Sequence, residues 1–341
     1  MKAKTVGWRG ETVTGIRTRP LRRPVPSDAI GRTATDAAAV AFIATKPIQI
    51  ITSMILAQQF APRPASLCVV PSFAGADGFL ERIRQYPTPF AHVFSAHSRA
   101  TAIVHQALRG HDQVLFDSDV GAKTTFAMWL AQRLRPTVRF AIFEEGTSLF
   151  DPLAIERPSE FHIRLGATAR MGTGVRTEAV YTYSPEELRT KLPGKPVRQI
   201  ETSIAAFVSE QQATLASVFW PSQEEDTHHW HGARCCVYLS AYNVDPRALE
   251  YLGRTRAYTV LKLHPHFRND PSVPEIRVDQ RISAGIPAEL VLNKLASSFE
   301  SVEVLHAGSA IERYLAAPNV RFLRVDDVTG QSAIATATRS A

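Results

Sequence analysis

Two short groups of residues in this 341-residue chain have the types and spacing to do chemistry. Glu144-Glu145-Gly146 follows the run Val138-Arg139-Phe140-Ala141-Ile142-Phe143, and His264-Pro265 follows Tyr258-Thr259-Val260-Leu261-Lys262-Leu263. A carboxylate at one strand end and a histidine at another supply the base and the acid that a group transfer needs. Both runs are short, apolar and rich in β-branched or aromatic residues, the pattern of buried strands. Open α/β sheets collect ligands beyond the carboxyl ends of their strands, which is where both groups would lie. Each also has a plainer reading: Gly146 closes a solvated turn, and Pro265 simply ends a strand.

Two adjacent carboxyls in a cleft do not both ionise cheaply, so one is expected to titrate above the usual carboxylate range. Gly146 would let a substrate approach the backbone closely. An imidazolium at His264 would neutralise or protonate a departing phosphate, with Lys262 and His266 adding positive potential. A third group, His306-Ala307-Gly308-Ser309-Ala310, reads as a strand, a turn and a helix start. Ser309 is a helix N-cap by type, and a hydroxyl at a helix N-terminus also suits a phosphate. Asp117-Ser118-Asp119 follows another strand and reads either as a helix cap or as a divalent-ion site for a nucleotide-diphosphate sugar. Gly121-Ala122-Lys123-Thr124 echoes a phosphate loop without its first glycine or its Gly-Lys step. His228, His229 and His231 precede Cys235 and Cys236 at a spacing that matches no standard zinc pattern.

The elements that must hold these groups alternate. Strands are expected at Ala38–Ile43, Leu67–Val70, His92–Phe94, Gln113–Phe116 and Val138–Phe143. Helices are expected over Pro47 to about Phe60, Gly78–Tyr86, Ser98–Leu108 and Lys123–Leu134. Residues 151–198 are less regular, and one long helix is expected from about Glu201 to Phe219. Gln223 to Gly232 reads as a polar surface loop. A second alternating half follows, with strands at Cys236–Leu239, Thr259–Leu263, Val302–Leu305 and Val320–Leu323. Helices at Pro287–Ser298 and Ser309–Leu315 separate its later strands. Strands alternating with helices imply parallel sheets with crossovers, so the chain reads as α/β, two Rossmann-type domains facing a central cleft. The divisions are 1–36, a flexible basic extension; 37–198; 199–330; and a tail, 331–341.

Composition sets outer bounds. A hydrophobic share of 45% with 21% charged residues is ordinary for a globular protein. No apolar run reaches the roughly 18–20 residues that cross a bilayer, and the basic start lacks the apolar core of a secretory signal. A cytoplasmic location is expected. The three cysteines make reduced thiols, not a disulfide framework, the expected state. Much of the net charge of +7 lies before residue 37, which suits a solvated tail or peripheral attraction to an anionic membrane or glycan. No nucleic-acid-binding signature accompanies the charge, so no nucleic-acid partner is expected.

Glu144-Glu145-Gly146, His264-Pro265 and Ser309 together resemble the D/E-D/E-G, HP and serine motifs of bacterial sialyltransferases and polysialyltransferases. Ala44-Thr45-Lys46-Pro47-Ile48-Gln49 is similar to the first strand-to-helix turn of those enzymes and places Gln49 on the acceptor side. The resemblance spans roughly Ala37 to Asp326. It implies a GT-B-like fold, with acceptor bound by the first domain and CMP-sugar by the second. Glu145 would be the general base, and His264 would assist the departing CMP. Glu144, Gly146 and Pro265 would support them, with Ser309 and Gly308 holding the donor phosphate. Ala310 stands where the family has a second hydroxyl, and the base is Glu where Asp is common. The implied activity is inverting, metal-independent transfer of sialic acid or a related ulosonic acid from CMP to a glycan acceptor. Its setting would be capsule or lipooligosaccharide synthesis, with no cofactor beyond the donor. The open alternatives are a metal-dependent transferase using Asp117 and Asp119, and a non-catalytic nucleotide- or glycan-binding protein.

Overall fold

The computed structural model describes residues 38–150, 159–164, 166–220, 230–267, 277–315 and 317–328. The expected basic extension, the tail and His228 and His229 lie outside the described residues.

The first half begins with β1 (Val40–Ala44), α1 (Pro47–Gln59), β2 (Ala65–Val69), α2 (Ala76–Ile83) and β3 (His92–Ser95). It continues through α3 (Arg99–Leu108), β4 (Gln113–Phe116), α4 (Ala122–Leu134) and β5 (Arg139–Phe143). A 3-10 turn follows at Gly146–Leu149, then α5 (Glu160–Arg164), β6 (Thr177–Thr182), α6 (Pro185–Lys191) and β7 (Val197–Gln199). Its seven strands are parallel in the order β3-β2-β1-β4-β5-β6-β7. β1 is buried on both faces: Val40, Phe42 and Ala44 enter one core and Ala41 and Ile43 the other. A parallel sheet covered by helices on both sides has no solvent face, which is why this strand is continuously apolar.

α7 (Ile204–Glu210) and α8 (Gln212–Phe219) lead to the second half. The single helix expected here is broken at Gln211, whose backbone leaves the helical region at φ −100°, ψ 16°. The second half comprises β8 (Gly232–Leu239), α9 (Pro246–Arg254), β9 (Tyr258–Lys262), β10 (Gln280–Ile282) and α10 (Ala288–Ser298). It ends with β11 (Phe299–His306), α11 (Ile311–Tyr314) and β12 (Val320–Arg324). Its sheet is also parallel, in the order β10-β9-β8-β11-β12. The irregular reading of 151–198 therefore missed two parallel strands, β6 and β7, and that of the second half missed α9 and β10. Among the described residues, no helix is long and apolar enough to cross a membrane.

In each sheet the strand order reverses at one place, between β1 and β4 and between β8 and β11. Connections leave in opposite directions there and open a crevice at the carboxyl edge. The two halves are held in register close to it. The Ala74 amide after β2 donates to the Pro265 carbonyl at 3.3 Å, and Arg82 of α2 donates to the Val218 carbonyl of α8 at 2.7 Å. Gly285 lies flat against the Ala74 backbone, where a methyl group would overlap the Ala74 carbonyl oxygen.

Gly285→Ala must therefore push the halves apart. Urea unfolding should show a loss of about 1–3 kcal/mol, the usual cost of forcing a methyl into a packed contact. An unchanged midpoint would mean that this contact does not set the spacing of the halves.

Candidate functional site

Strand alternation sends the side chains of consecutive residues in opposite directions, and at the end of β5 it separates the two carboxylates. Glu145 turns into the crevice. Its side chain is 13% exposed and is gripped by the turn after β1: Lys46 Nζ lies 2.5 Å from one carboxylate oxygen, and Gln49 Nε2 donates to the other at 2.7 Å. The Gln49 amide is itself oriented, because its Oε1 accepts from the Thr45 amide at 2.5 Å and from the Thr45 hydroxyl at 3.1 Å. Burial pushes the Glu145 carboxyl up, against the opposing pull of Lys46, and the nearby Asp117 adds to the rise. Burial drives Lys46 down, but the charge and hydrogen bond of Glu145, with Asp117 and Tyr242, together leave it raised.

Glu144 faces the other way and is 1% exposed. It accepts from the Thr182 hydroxyl, from the Tyr183 amide at 2.8 Å and from the Tyr314 hydroxyl at 2.9 Å. Tyr314 belongs to α11, so this bond joins the halves. Its hydroxyl oxygen also accepts from the Gly146 amide at 3.0 Å. Gly146 has φ +72°, a conformation open to glycine, and a methyl there would touch Ala310 at 3.6 Å. The close approach expected of a substrate at Gly146 is thus made by the opposite half. The rise in one acidic pKa comes chiefly from burial of Glu145, not from crowding by Glu144.

The second half supplies the facing wall. His264 follows β9, and its amide donates to Ser240 Oγ at 2.9 Å. Its ring stacks near Tyr242 and His266, with centroids 4.6 and 5.1 Å away. Burial pushes the imidazole down to about 4, helped by the charges of His266, Lys46 and Lys262. His264 is therefore neutral at physiological pH, not the imidazolium expected from the sequence. Lys262, two residues earlier on the same face, is buried and donates to the Leu263 carbonyl at 2.6 Å. Glu289 in the first turn of α10 is buried, and desolvation raises its carboxyl to about 7.

Gly308 and Ser309 line the cleft, but their amides turn inward to His306 Nδ1, at 3.2 and 2.9 Å. The helix after them is a single turn, too short to sum much of a dipole. Ser309 Oγ accepts from the Ile311 amide at 3.3 Å, which leaves its proton to donate. With the Gly308 and Ser309 amides committed to His306, the Ser309 hydroxyl is left to meet a phosphate. Pro265 lines the cleft and contributes its carbonyl to the contact with Ala74.

These residues bound one cleft of about 380 Å³, with Lys46, Glu145 and Gly146 on one side and Lys262, His264, Glu289 and Ser309 on the other. That is within the range of small-molecule sites. Gln49 stands behind Glu145, buried. Sequence reasoning missed Lys46 as a partner of Glu145, and missed Tyr242, Glu289 and Tyr314 altogether. A lysine in the apolar run of β9 was the one available signal for Lys262. Glu289 reads simply as an acid in a helix's first turn.

The candidate metal pair does not assemble. Asp119 accepts from the Gly172 and Gly174 amides at 2.8 and 2.9 Å and from the Thr177 hydroxyl at 2.7 Å. Asp117 pairs with Arg99 at 2.7 Å, and neither carboxylate lines the cleft. Cys235 and Cys236 point into cores on opposite faces of β8, so they cannot share an ion. Gly121-Ala122-Lys123-Thr124 opens α4 away from the cleft lining.

No family model matches the chain. No curated protein is significantly similar to it in sequence. Among solved structures it is similar to an α/β-galactoside α-2,3-sialyltransferase from the luminous marine bacterium Photobacterium phosphoreum. The TM-score is 0.52 at 10% identity, over 85% of this chain and 91% of that one. A UDP-GlcNAc 2-epimerase from Neisseria meningitidis scores 0.44 at 13% identity, over 79% of this chain and 77% of the other. A wall teichoic acid polymerase scores 0.44 at 10% identity, over 82% and 68%. Only the first reaches the level at which folds correspond. The likeness is one of fold: α/β with two parallel-sheet domains, the GT-B arrangement.

Because Glu289 is raised from 4.5 to about 7, its neutral form is favoured by folding. The associated stability is present below the unfolded pKa and is lost as pH rises through the folded one. Relative to Glu289→Gln, the wild type should lose on the order of 1–3 kcal/mol between about pH 5 and pH 8. Thermal melts across that window would show the two converge at low pH. A pH-independent difference would contradict the assignment.

Proposed function

We propose that this chain is an inverting, metal-independent glycosyltransferase that moves sialic acid or a related ulosonic acid from a CMP-sugar to a glycan hydroxyl. The observation that carries this reading is the opposition, in one cleft, of an oriented carboxylate from the first half and His264, Lys262 and Ser309 from the second. The sequence motifs that resemble sialyltransferases supply those residues, and the fold-level likeness to a sialyltransferase supports the same assignment.

In this reading Glu145 accepts the proton of the acceptor hydroxyl as its oxygen attacks the anomeric carbon. The bond from that carbon to the phosphate oxygen breaks, and its electron pair leaves with CMP. The products are a glycoside of inverted configuration, CMP and protonated Glu145, which returns its proton to solvent. A carboxyl raised by burial is a stronger base than an exposed one. The Lys46 ammonium opposes that rise and favours the ionised carboxylate before the acceptor arrives. Gln49 fixes the direction of its lone pairs, a positioning role on the acceptor side.

The leaving phosphate is met by donors already in place: the His264 ring N–H, the Ser309 hydroxyl and the field of Lys262. Preorganised donors in a partly dry cleft stabilise developing negative charge at little reorganisation cost. His264 enters neutral, so a bound phosphate that raises its pKa would draw in a proton. The biological setting we propose is synthesis of a bacterial surface glycan at the cytoplasmic side of the membrane.

The direct test is CMP release from CMP-sialic acid with mixed galactoside and sialoside acceptors, with and without EDTA. Release that requires an acceptor and resists EDTA is expected. Turnover that collapses with EDTA, or CMP binding with no transfer, would overturn the reading. A second prediction concerns protons. Since free His264 titrates near 4, CMP binding at neutral pH should take up protons and strengthen as pH falls. Calorimetry in two buffers of different ionisation enthalpy reads the uptake. It should shrink in His264→Asn, and equal uptake in both proteins would contradict the role given to this ring.

A further inference from the structure

α4 presents an unusual outer face. Phe126 is 60% exposed and Trp129 43%, and their rings lie 5.4 Å apart. Lys123 and Arg133 are exposed on the same stripe, since Lys123, Phe126, Trp129 and Arg133 succeed one another at the i+3 or i+4 steps that align side chains along a helix. Neither cation pairs with a carboxylate among the described residues. The short helix α5 adds Phe161, 66% exposed, Ile163 and Arg164. It lies beside the start of α4, because Gly166, just past its end, packs against Thr125.

The charge pattern of this region is one-sided. Between Arg99 and Arg135 the only acids are Asp112, Asp117 and Asp119. Asp112 is paired with Arg135, Asp117 is buried against Arg99, and Asp119 is buried on backbone amides. The surface left over on α4 is aromatic and cationic, and α5 sets Arg164 and one exposed acid, Glu160, beside it. A protein interface typically has an apolar core inside a polar, solvent-accessible rim, with lysine depleted. A bilayer with anionic headgroups instead offers continuous negative charge above an apolar layer. Tryptophan and phenylalanine settle at that boundary while lysine and arginine reach the headgroups.

We propose that the outer face of α4, extended by α5, docks on an anionic lipid bilayer, with Phe126 and Trp129 entering the headgroup boundary and Lys123 and Arg133 binding the phosphates. The inference does not depend on the transfer reaction, since none of these residues lines the cleft. α4 starts from the carboxyl edge of the sheet that also carries Glu145.

The test uses the full chain with vesicles of phosphatidylcholine alone or with a phosphatidylglycerol fraction. The basic N-terminal residues could bind such vesicles by themselves, so insertion is read at Trp129. In a Trp8→Phe background, brominated lipid should quench fluorescence, and adding Trp129→Phe should remove the quenching, because Trp220 and Trp230 are buried. Phe126→Ser with Trp129→Ser should weaken co-sedimentation with anionic vesicles by about tenfold, and Lys123→Glu with Arg133→Glu should weaken it comparably. An unchanged far-ultraviolet spectrum and melting point would show that the variants fold. Unquenched Trp129, or co-sedimentation unaffected by the aromatic pair, would overturn the proposal. So would a dimer in the wild type that the same aromatic variant dissolves, since a second copy would then cover the face.

Discussion

The site depends on the divergence of two consecutive carboxylates at the end of β5. One is sealed and the other is presented. Glu144 is spent on Thr182, Tyr183 and the hydroxyl of Tyr314, and so ties the second half to the first. Glu145 is spent on nothing permanent: an ammonium and an amide hold it facing the cleft. A buried carboxylate stripped of partners is expensive, so removing Tyr314 would unsettle both the interface and the strand end that aims Glu145. Gly146 completes the arrangement because its positive φ turns its amide onto the same tyrosine. Reaction geometry and domain apposition thus share one knot of hydrogen bonds.

The electrostatics of the cleft follow from burial more than from charge count. Burial, helped by the charges of His266, Lys46 and Lys262, keeps His264 neutral. At Glu289 burial outweighs the opposing pull of Lys262, and the carboxyl rises to about 7. A site of this kind suits an anion: a negative charge beside His264 would offset the neighbouring cations and raise the affinity of the imidazole for a proton.

Much of this was legible in the sequence. The apolar runs of β1, β4, β5 and β9 announced buried parallel strands, and the polar residues just after them marked the cleft. Glu145, His264 and Ser309 could be placed at its edge on that basis alone. What escaped depended on tertiary contact. β6 and β7 are short and partly polar, and α9 has a conventional surface pattern among loops. Gln211 breaks a helix that its neighbours' propensities would continue. The two acids of Glu144-Glu145 look equivalent in sequence, and only the direction of β5 distinguishes them. Lys46 and Tyr314 lie 99 and 170 residues from the acids they hold, and no local pattern reports such partners. Ser309 reads as a hydroxyl at a helix N-terminus, but the helix there is a single turn and the Gly308 and Ser309 amides go to His306. Asp117 and Asp119 had the spacing of a metal pair and turned out to be partnered separately.

The most direct measurement is a comparison of Glu144→Gln with Glu145→Gln in single-turnover transfer from CMP-sialic acid and in urea unfolding. The division of labour predicts that Glu145→Gln keeps its fold and its CMP binding while transfer falls by about 10²–10⁴, the usual worth of a positioned base. Glu144→Gln should instead lose stability, by about 1–3 kcal/mol for a disrupted buried charged hydrogen-bond set. Transfer at the wild-type rate in Glu145→Gln would contradict the account.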